Sequence, residues 1–443
     1  MKKLGLITIG VFVVATLYYF TMGASQITNE LKKQVNLELQ SLQTQGFVIE
    51  EREIKENTEH LVLLFDNPKK IASYLTHKGI ALTEEDASHL KALRIGIDIA
   101  YLPDAYAAAS IDFYPISLPT SFTSSLMKNG KQQQLETIKN LLKNKTFLTH
   151  ISLNKLGTEF KGYTKDIDLH LKDEKDMRIK IEGMTFLGKI NHQSLQSVTQ
   201  KLKDFNITVD NVLSLAAHGV KTNYLHTKNT PNDIHINYDI DTMNIKAYSQ
   251  FTLEANSINI DSHTTVKNNL SSSDIKTKTE KITLTEKNKK TQFKTFILHL
   301  KANNLDMKAF EELQHIDVNN TKELNAVLQT LISKNIHIEV PTLSIDKIEA
   351  DGKEIDGFNL TSKIDIKKSF SIAALQNNPT SILSAIDANL HIDFSKEIFN
   401  IITQQPKAMI ALMLFQPKNV GDKKSYTLEV KDGKLIINGM SLF

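Results

Sequence analysis

Apolar and polar residues alternate along most of this chain, which is the pattern of strands with one buried face. Leu93, Ile95, Ile97, Ile99 and Tyr101 share one phase. Ile167, Leu169 and Leu171 lead through a charged turn at 172–176 to Met177, Ile179 and Ile181, predicting a hairpin with one apolar face. Ile234, Ile236, Tyr238 and Ile240 form another run, and Met243, Ala247, Phe251, Leu253 and Ala255 read as one long run of odd phase. The pattern continues in Phe296, Leu298, Leu300 and Ala302, and in Phe358, Leu360, Ile364 and Ile366. It returns in Ile386, Ala388, Leu390, Ile392 and Phe394. Tyr426, Leu428 and Val430 face Leu435 and Ile437 across Asp432-Gly433, a strong hairpin-turn dipeptide. Shorter strands are predicted at 47–54 and 60–65.

Helical spacing is rarer. Ile27, Leu31, Val35, Leu39 and Leu42 predict a helix that Gly46 stops in the left-handed conformation. Asn67-Pro68 supplies a cap and a first helical proline, and residues 83–86 start another helix. Leu135, Ile138 and Leu142 mark a third, after a stretch punctuated by Pro103, Pro115 and Pro119. Leu324, Val327, Leu328, Leu331 and Ile332 form a one-sided stripe behind the capping sequence Asn320-Thr321-Lys322-Glu323. A further helix is predicted over 395–404. Residues 267–292, rich in Ser, Thr, Asn and Lys, predict a solvated edge hairpin whose lysines oppose edge-to-edge pairing.

Strands therefore outnumber the helices available to cover them. Consecutive hairpins imply antiparallel pairing, because parallel strands need long crossovers. The fold class is α+β and strand-dominated: a large, mostly antiparallel twisted sheet or sandwich with a few short covering helices.

The N-terminus adds a different element. Residues 4–24 carry no charge. About 21 residues make roughly 31 Å of helix, enough to cross a bilayer core. Lys2 and Lys3 precede this run and Tyr18 and Tyr19 lie near its outer end. The lysines place the N-terminus in the cytoplasm and the rest of the chain across the membrane. An uncleaved signal anchor is the expectation; Gly23-Ala24-Ser25 is the candidate site for the competing reading, a cleaved signal peptide. The apolar run 408–415 is too short to span. The expected domains are a cytoplasmic tip and anchor (1–24), a mixed α/β periplasmic region (25–145) and an extended antiparallel β-rich region with short helices (146–443).

The composition removes several functions. With 443 residues, 41% apolar, the chain is neither disordered nor polytopic. Net charge is +3, and only Arg52, Arg94 and Arg178 are arginines, so nucleic acid is not an expected partner. The chain has no cysteine, which excludes disulfides, thiolate metal sites and thiol nucleophiles. Phosphate-binding Gly-rich loops, the zinc-protease helix motif, the nucleophile elbow and the helix-loop-helix calcium loop are absent from the sequence. Asp233, His235, Asn237, Asp239 and Asp241 share one face of a predicted strand, as do Asp166, Asp168, His170 and Lys172. His391 and Asp393 lie on the outer face of another. A solvated strand face explains all three better than a metal site. No catalytic residue, metal or cofactor is assigned, and a non-enzymatic protein is expected.

The anchor, the segment AIDANLHIDFSKEIFNII (385–402) and the closing YTLEVKDGKLIINGM (426–440), with its acidic-Gly hairpin and Asn438-Gly439, resemble the YdgA-like family of bacterial cell-envelope proteins. The resemblance implies a Gram-negative inner-membrane protein, single-pass, with its bulk in the periplasm. It brings no catalytic residues.

Two functions are expected to compete. One is a module that binds lipid or another hydrophobic ligand in an apolar groove lined by Phe251, Leu253, Phe358, Leu360, Leu390 and Phe394. The other is a structural or assembly protein of the envelope with a closed core. The expected partners are the membrane, through the N-terminal helix, and lipid or envelope proteins.

Overall fold

The computed structural model describes residues 28–77, 84–102, 106–172, 176–191, 194–226, 233–248, 250–287, 289–313, 316, 320–404 and 416–441. The expected anchor and the apolar run 408–415 lie outside them. Among the described residues no helix is long and apolar enough to cross a membrane. The chain forms two compact units, Met1–Leu225 and His226–Phe443. The boundary expected at 145 falls inside unit 1, where strands on either side of it pair.

Unit 1 begins with the helix Thr28–Thr44, and Gly46 stops it with φ +98°. Strands β1 (Phe47–Ile54), β2 (Thr58–Phe65), β3 (Arg94–Tyr101), β4 (Ala107–Ser117), β5 (Thr149–Asn154) and β6 (Glu159–Thr164) pair in order, all antiparallel. Helices Thr28–Thr44, Pro68–His77 and Gln132–Lys143 bring Val35, Leu39, Ile71, Leu75 and Leu135 onto the apolar sheet face, making one contiguous core. Asn67 caps the second helix through Lys70 N–H, 3.1 Å from its Oδ1. Glu59 is 3% exposed within this unit and is held by Arg52 Nε (2.7 Å) and the Tyr101 hydroxyl (2.8 Å). A buried carboxylate persists only when so satisfied.

The sheet continues through β7 (Ile167–Leu171), β8 (Met177–Glu182), β9 (Met184–Asn191), β10 (Ser194–Val209) and β11 (Leu213–His226). The hairpin of β7 and β8 has the expected register, with Ile167, Leu169 and Leu171 opposite Ile181, Ile179 and Met177. Strand β10 is long enough to pair with both β8 and β9 on one side.

Unit 2 is a second antiparallel series: β12 (Ile234–Ala247), β13 (Phe251–Lys267), β14 (Leu270–Glu286), β15 (Lys289–Asp306), β16 (Ile336–Ala350), β17 (Lys353–Ile366), β18 (Ile386–Ser395) and β20 (Lys423–Lys431). Strand β19 (Lys418–Val420) and strand β21 (Lys434–Ile437) both pair with β20, and β22 (Met440–Ser441) pairs with β21. Asp432 and Gly433 have φ +52° and +76°, the pair of left-handed residues that a two-residue hairpin needs. Asn320 caps the helix Thr321–Ile332, and Ser395 caps Lys396–Thr403.

Two expectations fail here. The odd-phase run from Met243 to Ala255 is a hairpin, not one strand: Ala247 faces Phe251 and Met243 faces Ala255. Directly opposed residues share a face, so the phase survives the turn and conceals it. Residues 267–292 are not an edge either. Strand β14 pairs with β13 on one side and β15 on the other. Its polarity reflects a solvated face, and a backbone ladder runs along each side of it regardless.

One feature recurs in every strand from β12 to β17. The apolar phase steps by one position at the same level of the sheet. Ile240, Ile258, Thr279, Phe296, Ile345 and Phe358 form one row in register. Met243, Ala255, Ile282, Phe293, Ile348 and Ile355 form the next apolar row. Between the rows, Asp241, Ser257, Glu280, Thr295, Asp346 and Gly357 drop out of the ladder. Ser257 and Thr295 take φ +53° and +55°, a conformation that breaks the pleat and that a β-branched residue rarely adopts. The step is present in unit 1 as well. It separates Ile181 from Met184 at Gly183 (φ +67°), Leu202 from Phe205 at Lys203, and Ala217 from Val220 at Gly219 (φ +61°).

At Gly357 the line is closest packed. A Cβ there would lie 1.7 Å from the Ile345 carbonyl oxygen. Gly357→Ala is therefore expected to destabilise the chain by roughly 1–3 kcal/mol, the usual cost of overpacking. Urea unfolding measures this, and an unchanged midpoint would contradict so close a crossing.

Candidate functional site

The six groove residues occupy both sides of this step line. Phe358 and Leu360 on β17 and Leu390 and Phe394 on β18 lie on one side. Phe358 faces Phe394 across the ladder, ring centroids 6.3 Å apart, and Leu360 faces Ile392. Phe251 and Leu253 lie on β13 beyond the line, where they face Ala247 and Ile245. The six are thus two groups rather than one cluster. All six are half-buried. The buried apolar residues on the described strands of unit 2 are Ala255, Ile258, Ile336, Val430 and Ile437. A closed sandwich would bury a full set of alternating residues, as β2 and β3 do in unit 1.

The polar strand faces are more ordered than simple solvation would make them. Asp233 is 4% exposed and its Oδ1 lies 3.1 Å from His263 Nε2. His235 Nε2 lies 2.7 Å from Asp261 Oδ2, and Asp239 accepts from Asn259 Nδ2 at 2.7 Å. His235 and His263 are directly opposed. His391 lies 3.2 Å from Asp393, and Asp168 is held bidentately by Arg178. Asp233 therefore departs from the expected solvated face: it is buried and paired. Except for His391 and Asp393, which share a strand, cross-strand partners supply these contacts, and neighbouring positions on one strand do not reveal them. Among the described residues no group of three or more His, Asp or Glu side chains is placed to hold a metal ion.

Unit 1 carries the most concentrated polar constellation. His60, Asp98, Asp112 and His150 stand in one row across β2, β3, β4 and β5. His60 Nδ1 is 2.5 Å from Asp98 Oδ1, and His150 Nδ1 is 2.6 Å from Asp112 Oδ1. Lys145 Nζ donates to Asp98 Oδ2 at 2.9 Å and sits 3.7 Å from the Tyr114 ring centre. Two carboxylates directly opposite repel, so the row depends on these flanking donors. A cavity of about 250 Å³ opens beside it, lined by Glu59, His60, Asp98 and Asp112. Burial acts to raise the Asp98 carboxyl, but hydrogen bonds with Lys145, His60 and Tyr114 outweigh it and hold the group below its ordinary value. Burial raises the Tyr114 hydroxyl. Each imidazole and carboxylate of the row has a hydrogen-bonding partner, within the row or in Lys145. These contacts tie β2 to β3 and β4 to β5 across the ladders. His60 and Asp98 are 38 residues apart, and only strand register joins them.

A carboxyl depressed on folding stabilises above its unfolded value and loses that contribution as pH falls through the folded value. Asp98→Asn should thus cost about 1 kcal/mol or less at neutral pH, since the group is more than a third exposed. It should also flatten the loss of stability below pH 3.8, the ordinary value for this side chain. Unfolding curves across the acid range test this, and parallel profiles for the two proteins would contradict it.

No family model, curated protein or solved structure matches the chain.

Proposed function

We propose that this chain is a non-enzymatic carrier that holds a lipid acyl chain in an apolar trough along the step line of unit 2. One observation carries the reading. Ala255 and Ile258 are both buried, although a continuous pleat would put them on opposite faces, and Ser257 between them is exposed. The left-handed residue turns the strand so that the apolar rows above and below it face the same way. The two groups of candidate residues then form two walls of one trough, Phe358, Leu360, Leu390 and Phe394 on one side and Phe251 and Leu253 on the other.

Among the described residues, helices reach the wall formed by β17 and β18 but not the wall formed by β13. The helices of unit 2 pack chiefly against β15, β17, β18 and β20, leaving β12 to β14 uncovered by them. At 25 cal/mol per Å², about 400 Å² of apolar surface left in water costs about 10 kcal/mol. That is as large as the whole stability of a typical domain, so an apolar occupant is strongly favoured. The N-terminal apolar run supports a single-pass anchor with both units outside the cytoplasm. The resemblance to the YdgA-like family supports a place at the Gram-negative inner membrane, facing the periplasm. Such an anchor would keep the trough beside a lipid source.

Photo-crosslinking residues at Phe251, Phe358 and Phe394 test the reading in cells. Capture of a lipid-sized adduct at all three is expected. Crosslinks confined to the chain itself, with no ligand in native mass spectrometry, would instead favour a closed structural protein.

A further inference from the structure

A second concavity lies wholly within unit 1, on the sheet face opposite its core. It encloses about 440 Å³, within the range of small-molecule sites. Strand register sets most of its lining in two rows, which Lys221 and Asn223 extend beyond it; Gly162 and Phe186, of the other phase, complete the lining. His150, Tyr163, Thr185, Lys201 and Lys221 face one another across β5, β6, β9, β10 and β11. Ser152, Lys161, Leu187, Thr199 and Asn223 form the adjacent row. Residues two apart share a strand face, so both rows point the same way.

The lining is unusual for a solvated face. Leu187 is 54% exposed and Tyr163 is 47% exposed, its ring stacked on His150 with centroids 5.1 Å apart. Beside them stand cations without counter-ions. Lys161, Lys201 and Lys221 have no carboxylate in ion-pair range among the described residues, and Lys201 is directly opposite Lys221. Like charges so placed repel. Other groups nearby are paired: Lys189 with Glu159 at 3.6 Å, Lys203 with Glu182 at 2.8 Å and His150 with Asp112 at 2.6 Å. Lysines without a carboxylate partner thus stand beside the exposed apolar surface.

We propose that this concavity binds an anionic phospholipid, with its phosphate between Lys161 and Lys201 and its first apolar carbons on Tyr163 and Leu187. Lysine serves a phosphate as a point charge, and the exposed ring and aliphatic side chain serve the body of the lipid. A bare anion would leave Tyr163 and Leu187 in water, and a neutral lipid would leave the lysines opposed. The site does not depend on the trough of unit 2, with which it shares no residue.

The test uses the full chain held in peptidiscs and titrated with dihexanoyl-phosphatidylglycerol below its micelle concentration. The same titration is run with dihexanoyl-phosphatidylcholine, inorganic phosphate and heparin. Binding of the anionic lipid is expected, at least about tenfold tighter than that of the zwitterionic one. Lys161→Glu with Lys201→Glu should weaken it about tenfold or more, and Leu187→Ser should weaken it by a similar factor without altering its salt dependence. Lys201→Glu creates an opposed pair with Lys221, so a melting temperature at or above that of the wild type is expected and excludes misfolding as the cause. Equal affinity for both lipids, an unaffected double variant, or tighter binding of inorganic phosphate or heparin would overturn the proposal.

Discussion

The architecture depends on a break in the pleat. In a regular strand, residues two apart share a face and residues three apart do not. Here the apolar sequence of each long strand violates that rule once, at a common level. The backbone accommodates the violation with left-handed residues at Ser257 and Thr295 in unit 2 and at Gly183 and Gly219 in unit 1. Because the step is in register across neighbouring strands, pairing resumes on both sides of it. At that level each strand leaves one position unpaired, and the sheet retains its antiparallel order on both sides.

The two units put sheet faces to different use. In unit 1, helices seal one face of β1 to β5 and produce a deep core in which Leu61, Leu63, Ile95, Ile97 and Phe113 are excluded from water. In unit 2 the strands are longer, the described helices are mostly shorter, and most apolar strand side chains remain half-buried. The cohesion of unit 2 lies largely in its continuous ladders, each strand from β13 to β18 being paired on both sides. Such a sheet is stable enough to hold a shape while presenting an apolar surface. His–Asp pairs on its polar side, such as His337 with Asp365 at 2.6 Å, pin neighbouring strands across the ladder.

Local signals in the sequence were sufficient for individual elements. Strand Phe47–Ile54, the helix stopped by Gly46, the Asn320 and Ser395 caps and the Asp432-Gly433 turn all follow from residues close in sequence. Long-range placement was not legible in the same way. The polar composition of β14 suggested an edge, but edge status depends on neighbours that composition does not encode. The turn between Ala247 and Phe251 was hidden because opposed residues keep one phase. The step between Ile240 and Met243 is present in the sequence as a spacing of three, yet it looks like the gap between two runs until the register shows it repeated beside Ser257, Thr295 and Gly357. The six candidate residues were chosen by phase alone; that they lie on both sides of the step line follows only from the register.

The claim on which the trough rests is that apolar rows on both sides of the line share one face. The chain has no cysteine, so single-cysteine variants along β13 can each carry a nitroxide without further changes. Collision with a water-soluble nickel reagent then reports which way each position points. A stepped strand predicts low accessibility at Leu253, Ala255, Ile258 and Ile260, with high accessibility at Ser257. Low accessibility running unbroken through 253, 255, 257 and 259 would mean a continuous pleat, and would contradict the trough.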